Sequence, residues 1–372
     1  MRNTDIPTVA IVFGGDSSEH QISCLTAASV ARAIDPQQFR VVGIGITRTG
    51  RWVHVPVEEI RDLKVVDKVL PELSENRPEA ILHRGAEGAE LVLRDGDRLI
   101  DPRPVDVALA LLHGPFGEDG TIQGLFEMAG VRYVGSGVAA SAIGMDKHLM
   151  KLVFEAQGLP IGPYVAISPR EWAADPAATL DAVASLHFPV YVKPARGGSS
   201  MGITRVERLE DVEAAIETAR EFDPKVLVEQ GFIDCREIEC GVLGALDGGL
   251  AEASVPAEIR MHTEDGFYDF EAKYLPDEQV SLDVPADILP EIADRVRELA
   301  VRAFHALDGE GLARVDFFVS RTGDVSINEI NTMPGFTALS MFPRMWEHSG
   351  LAYPELIARL IHLALNRPLG LR

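Results

Sequence analysis

The residues best placed to do chemistry lie near the C-terminus. Two apolar-rich runs, Ala313-Arg314-Val315-Asp316-Phe317-Phe318-Val319 and Val325-Ser326-Ile327-Asn328-Glu329-Ile330-Asn331, flank the polar turn Ser320-Arg321-Thr322-Gly323-Asp324, the pattern of a β-hairpin. A turn centred on Thr322 and Gly323 sets Asp316 opposite Glu329 and Arg314 opposite Asn331. Period two then sends all four side chains to one face. Two carboxylates and an amide oxygen make a hard oxygen cluster suited to Mg²⁺, with coordination positions left for phosphate oxygens and water. The bland alternative is that Arg314 neutralises Asp316 on an exposed sheet face. Val315, Phe317, Val319 and Ile330 are expected to face the core, and Phe318 and Ile327 to continue the polar face as an apolar wall.

Cations for a phosphate group stand upstream. The strand-like run Phe188 to Val192 leads through Lys193 into Pro194-Ala195-Arg196-Gly197-Gly198-Ser199-Ser200-Met201-Gly202, a loop whose backbone N–H groups can face an anion and whose glycines let it close. It lacks the Gly-x-x-x-x-Gly-Lys-Ser/Thr spacing of a P-loop, and the Gly14-Gly15 turn lacks that of a dinucleotide fold. Taken alone, the loop fits an ordinary hairpin turn equally well. Lys147, at the start of a helical segment, can supply a second point charge; a solvated surface position is the alternative for either lysine. Glu229, ending the strand Val226-Leu227-Val228, and Glu237, opening the next, are carboxylates that can accept hydrogen bonds from an amino group and hydroxyls; a plain exposed-face role is the alternative.

The elements around these residues alternate. Val9 to Phe13, a helix from about Glu19 to Ile34 and Val41 to Ile46 form a strand, helix, strand unit, and Val105 to Leu112 followed by a helix over Thr121 to Ala129 forms another; this order predicts a parallel sheet with helices on its faces. The stretch from about Glu58 to Gly96 reads as an insertion with a short helix and a hairpin. A helix from near Asp146 to Gly158, followed by Pro160 and Pro163, marks a seam. Beyond it the pattern is strand, Gly-rich loop, strand, helix, strand, and then further strands, a loop over residues 260–279, a helix over Pro290 to Leu307, the hairpin and a final helix. The fold class is therefore α/β followed by α+β, with domains at 1–141, 142–231 and 232–372.

Composition narrows the function. The 372 residues carry a formal net charge of −22, which argues against a nucleic-acid partner because phosphate backbones are gripped by concentrated Lys and Arg. An anionic substrate must be held by local cations, metal ions or backbone N–H groups. Cys24, Cys235 and Cys240 form no paired framework and read as structural thiols. The first apolar run is too short for a signal segment or membrane span, so a cytoplasmic protein with no membrane partner is expected.

Together these motifs resemble the ATP-grasp superfamily, and within it the D-alanine–D-alanine ligases. The residues that carry the resemblance are Phe13-Gly14-Gly15-Asp16-Ser17-Ser18-Glu19-His20, His113-Gly114-Pro115-Phe116-Gly117-Glu118-Asp119-Gly120, Gly144-Met145-Asp146-Lys147, the Lys193 to Gly202 loop, Tyr268-Asp269-Phe270-Glu271-Ala272-Lys273-Tyr274, and Asn328-Glu329-Ile330-Asn331-Thr332-Met333-Pro334-Gly335. They span nearly the whole chain. The resemblance implies an N-terminal pre-ATP-grasp domain followed by a two-module ATP-grasp fold, with ATP between the modules. It implies that Lys147, Lys193 and Lys273 contact its phosphates, Glu229 and Glu237 its adenine and ribose, and that Asp316, Glu329 and Asn331 hold two Mg²⁺ or Mn²⁺ ions.

For the amino acids, the resemblance implies that Glu19 pairs with the ammonium of the first D-alanine and His113 borders that pocket. A Tyr274, Ser199 and Glu19 triad would close over the site. Arg314 and the Gly335 N–H would form an oxyanion hole, and Ser340 with the N–H of Met341 would take the second carboxylate; Met341 stands where the family has leucine. The implied reaction makes D-alanyl-D-alanine for peptidoglycan through D-alanyl phosphate, and the resemblance implies a homodimer. The alternatives are a D-alanine–D-lactate ligase, against which Tyr274 speaks, another ATP-grasp carboxylate–amine ligase or phosphotransferase, and a non-catalytic ATP-binding module.

Overall fold

The computed structural model describes residues 6–198, 200–246, 248–261 and 280–370. The chain opens with Thr8–Gly14 (β1), buried at every position as befits a strand covered on both faces. His20–Ala33 (α1) leads to Arg40–Ile46 (β2), parallel to β1. Trp52–His54 (β3), Val57–Asp62 (α2), Glu79–Arg84 (β4), Ala89–Asp95 (β5) and Arg98–Pro104 (β6) follow. Then come Val107–Ala110 (β7), Thr121–Ala129 (α3) and Arg132–Tyr133 (β8). Among the described residues these strands form one sheet ordered β6-β5-β4-β3-β2-β1-β7-β8. The expected parallel pairing holds for β2-β1-β7-β8. The segment expected as an insertion holds α2 and the β4-β5 hairpin, and with β3 and β6 on either side of it the sheet is extended by antiparallel strands.

Val138–Met145 (α4) and Lys147–Ala156 (α5) make the seam. Asp146 caps α5, accepting from the N–H groups of His148 and Leu149, each at 3.1 Å, which fixes Lys147 as the first helical residue. The next sheet contains Tyr164–Ile167 (β9), Val190–Pro194 (β10), Thr204–Val206 (β11) and Val226–Gln230 (β12), ordered β11-β10-β12-β9. Pro169–Ala174 (α6), Pro176–Val183 (α7) and Val212–Arg220 (α8) accompany it. Its core, including Trp172, Val192, Ile216 and Val228, is drawn from this segment alone.

The last sheet runs β16-β15-β13-β17-β18, from Arg236–Leu243 (β13), Ala257–Met261 (β15), Val280–Asp283 (β16), Leu312–Val319 (β17) and Val325–Asn331 (β18), with Glu252–Ala253 (β14) pairing β13. Pro290–Ala306 (α9) covers one face, and Met341–His348 (α10) and Tyr353–Asn366 (α11) follow where one final helix was expected. Met150 and Phe154 of α5 share the core of this sheet with Val315, Phe317 and Val296. A different core runs from the first sheet to the last helices: Phe13, Val30 and Leu109 pack with Phe342, Ile357 and Ile361. Arg367, just beyond α11, donates to the Gly135 carbonyl at 2.6 Å and pairs with Glu310.

Candidate active site

The hairpin forms with Asp316 opposite Glu329 and Arg314 opposite Asn331, the register expected from the turn. The second half differs. Phe317 pairs with Ile327, leaving Asn328 as an extra residue in β18, so the strand carries a bulge. Ile327 is consequently buried in the core at 1% exposure, not on the polar face. Only Phe318 continues that face, stacked on Phe232 with centroids 4.9 Å apart.

On the polar face Arg314 grips Asp316 through two 2.7 Å contacts and lies 3.3 Å from Glu239. Asn331 Nδ2 donates to Asp316 at 3.0 Å, and Lys147 Nζ lies 3.1 Å from Glu329. Each carboxylate of the cross-strand pair thus has a cation beside it, which removes the repulsion expected between them. Burial opposes the charged form of Arg314, but Asp316 and Glu239 outweigh it and hold the guanidinium well above its ordinary range. The residues lie in a cleft and are partly buried, unlike an ion pair on an open sheet face.

Lys147 is placed by the α5 cap and by its own N–H, which donates to the Ala195 carbonyl at 2.8 Å at the end of β10; its Nζ also donates to Gly197 O at 3.2 Å. Burial would lower this lysine, yet Glu329 raises it overall. Lys193 lies against Glu229, whose other oxygen is 3.0 Å from Lys151. Burial alone would raise Glu229; the two ammonium groups reverse this and hold it at about 2. Lys193 is lowered, mainly by burial and then by the neighbouring lysines working against Glu229.

The N-terminal sheet brings an acid to the same place. Gly14 and Gly15 have φ of +94° and +100°, and a Cβ on Gly14 would sit 2.2 Å from the Ile46 carbonyl oxygen; the turn after β1 therefore needs glycine. It delivers Glu19, buried at 6% exposure. A Cβ on Gly114 would lie 3.0 Å from Glu19 Oε2 and one on Gly198 3.4 Å from it, so this carboxylate meets both the 113–120 loop and the glycine loop. His113 donates from Nδ1 to the Met333 carbonyl at 3.2 Å. Burial lowers it, with Glu19 partly compensating. Glu118 accepts from Gly114 N–H at 2.6 Å and is pushed up to about 8, by burial first and Glu19 second.

After β18 the chain continues along the cleft wall. Ser340 Oγ accepts from the Thr337 N–H at 3.1 Å and lies 3.3 Å from where a Gly335 Cβ would be; Met341 begins α10. All the residues singled out in the sequence that lie in the described part of the chain line one cavity of about 790 Å³, Glu237 and Glu229 included. Ser199, Lys273 and Tyr274 lie outside the described residues.

Sequence patterns do not single out Lys151 or Glu239, although each leaves a trace. Lys151 falls four residues after Lys147 and beside the apolar Met150 and Phe154, an unusual place for a lysine on a packed helix. Glu239 follows Glu237 by two in an otherwise apolar strand, hence on its face. For a divalent metal, the hairpin offers two carboxylates and an amide; among the described residues no three Asp, Glu, His or Cys side chains are grouped so that they alone could hold a metal ion. This all-oxygen set fits a hard ion shared with phosphate oxygens, and the cations now on Asp316 and Glu329 show where positive charge is wanted.

The comparisons agree with this architecture. Residues 8–136 match the family described as D-ala D-ala ligase N-terminus and residues 153–362 the one described as D-ala D-ala ligase C-terminus. The D-alanine–D-alanine ligase of Kocuria rhizophila is 52% identical, covering 99% of this chain and 96% of its own length. The solved D-alanine-D-alanine ligase from Coxiella burnetii superposes with a TM-score of 0.82 at 30% identity, over 98% of this chain and 95% of its own. The VanG D-Ala:D-Ser ligase from Enterococcus faecalis gives 0.81 at 33%, over 97% of this chain and 100% of its own. With both halves matched and the cleft between them lined by the motif residues, the chain belongs to the D-alanine–D-alanine ligase family.

Proposed function

We propose that this chain condenses two D-alanine molecules to D-alanyl-D-alanine, a peptidoglycan precursor, at the expense of ATP and by way of D-alanyl phosphate. The observation that carries the reading is the hairpin face, where Asp316, Glu329, Asn331 and Arg314 converge opposite Lys147 and share a cleft with Lys193 and Glu19. In this reading the domains divide at 1–141, 142–231 and 232–372, and the enzyme is a cytoplasmic homodimer. Among the described residues no helix is long and apolar enough to cross a membrane.

Glu19 pairs with the ammonium of the first D-alanine and turns its carboxylate toward the γ-phosphorus, with His113 beside it. Lys147 and Lys193, joined by Lys273, hold the phosphates, and Glu229 and Glu237 take adenine and ribose. Asp316, Glu329 and Asn331 would hold two Mg²⁺ or Mn²⁺ ions, which supply charge neutralisation to the phosphate oxygens. In-line attack gives ADP and D-alanyl phosphate. The amine of the second D-alanine, its carboxylate on Ser340 and the Met341 N–H, then attacks the activated carbonyl. The oxyanion faces Arg314 and the Gly335 N–H before phosphate leaves. Tyr274, Ser199 and Glu19 keep water from the acyl phosphate.

ADP release measured across D- and L-amino acids, with product analysis using D-alanine, D-serine and D-lactate as acceptors, tests the proposal: D-alanine alone should sustain turnover and yield the dipeptide. Glu329→Gln should cut turnover at least about 100-fold without lowering the melting temperature. ADP formation without dipeptide, or full activity in that variant, overturns the reading.

A further inference from the structure

We propose that Lys151 is the standing counter-ion of Glu229, a positioning residue that frees Lys193 to leave that carboxylate for a nucleotide phosphate. The inference rests on the nucleotide-site reading above and goes beyond it, because Lys151 does not itself line the cleft.

Glu229, 8% exposed, has an ammonium on each oxygen: Lys193 on Oε2 and Lys151 Nζ 3.0 Å from Oε1. One carboxylate needs one counter-charge, so the cluster carries a surplus cation. The two lysines are not equivalent. Lys193 ends β10 and lines the cavity, within reach of a ligand. Lys151 is only 2% exposed, does not line the cavity, and sits with Nζ 5.6 Å from the centroid of Tyr164. Tyr164 in β9 is the cross-strand neighbour of Glu229, so ring, ammonium and carboxylate form one packed unit in which the cation over the aromatic face is held from behind.

A buried carboxylate stripped of its only cation is strongly disfavoured. If Lys193 were the sole partner of Glu229, turning it toward phosphate would leave that charge uncompensated, and phosphate binding would be opposed. With Lys151 fixed behind it, Glu229 stays ionised and aimed while Lys193 moves. Neutral ligands, which do not draw on Lys193, gain nothing from Lys151.

Calorimetric titration of ADP and of adenosine into the full chain with Mg²⁺ separates these cases. Lys151→Met should weaken ADP about tenfold and change adenosine by no more than about twofold, and in turnover the KM for ATP should rise more than kcat falls. Lys151→Arg, which retains the charge, should keep the wild-type ratio of ADP to adenosine affinity. Equal weakening of both ligands, unchanged ADP affinity, or an arginine variant as impaired for ADP as the methionine variant would overturn the counter-ion role. Failure of the unmodified protein to bind ADP would instead overturn the nucleotide-site reading itself.

Discussion

Glu118 and Glu19 are two carboxyl groups in one pocket, and burial first and the charge of Glu19 second push Glu118 up to about 8. An unfolded glutamate releases its proton near 4.5. Between those values the folded chain binds the extra proton at this site, so the contribution of Glu118 to stability falls as pH rises from about 4.5 to about 8. Glu118→Gln removes that slope: its melting temperature should equal that of the unmodified protein at pH 5 and exceed it at pH 8. Identical melting curves at both pH values would mean that Glu118 is ionised throughout. Glu229 behaves oppositely. Held at about 2 by its two lysines, it contributes stability that is complete above about pH 4.5 and lost as pH falls toward 2.

Among the strands, the bulge in β18 joins the fold to the site. Apolar residues of this strand fall at Val325, Ile327 and Ile330, a spacing of two and then three, and the added residue Asn328 points with Glu329 into the cleft. Deleting Asn328 leaves strict alternation, with Ile327 and Ile330 still inward, so the fold should survive with a melting temperature within about 5 °C of the original. Glu329 would be re-aimed, and turnover should fall at least about 100-fold; an active deletion variant would show that the bulge sets no aim. The same strand marks what a sequence reveals. Pairing of Asp316 with Glu329 follows from turn and period, and composition and order suffice for the parallel core of the first sheet. The bulge hides in a three-residue spacing that period two overrides. The contacts of Lys151 and Glu239 depend on which sheet packs behind α5 and which strand flanks β17, and such tertiary neighbours leave only the trace of a charge among apolar residues.

For the molecule as a whole, two of the sheets that bring residues to the cleft differ in how they are anchored. The four-stranded sheet has a core of its own. The eight-stranded sheet has one only on its α3 face, where Val12, Ile44, Phe126 and Tyr133 pack together; its α1 face is completed by Phe342, Ile357, Leu360 and Ile361, and Phe39 meets the ring of His362 at 5.4 Å. A fragment of residues 1–141 made alone would leave that apolar face bare, and it should bind a hydrophobic dye or aggregate; a soluble, cooperatively melting fragment would show that the shared core is dispensable. The consequence reaches to biosynthesis. The first sheet leaves the ribosome well before α10 and α11, which finish its packing, so a premature stop shortly before α10 would leave that sheet incomplete as well as removing those helices.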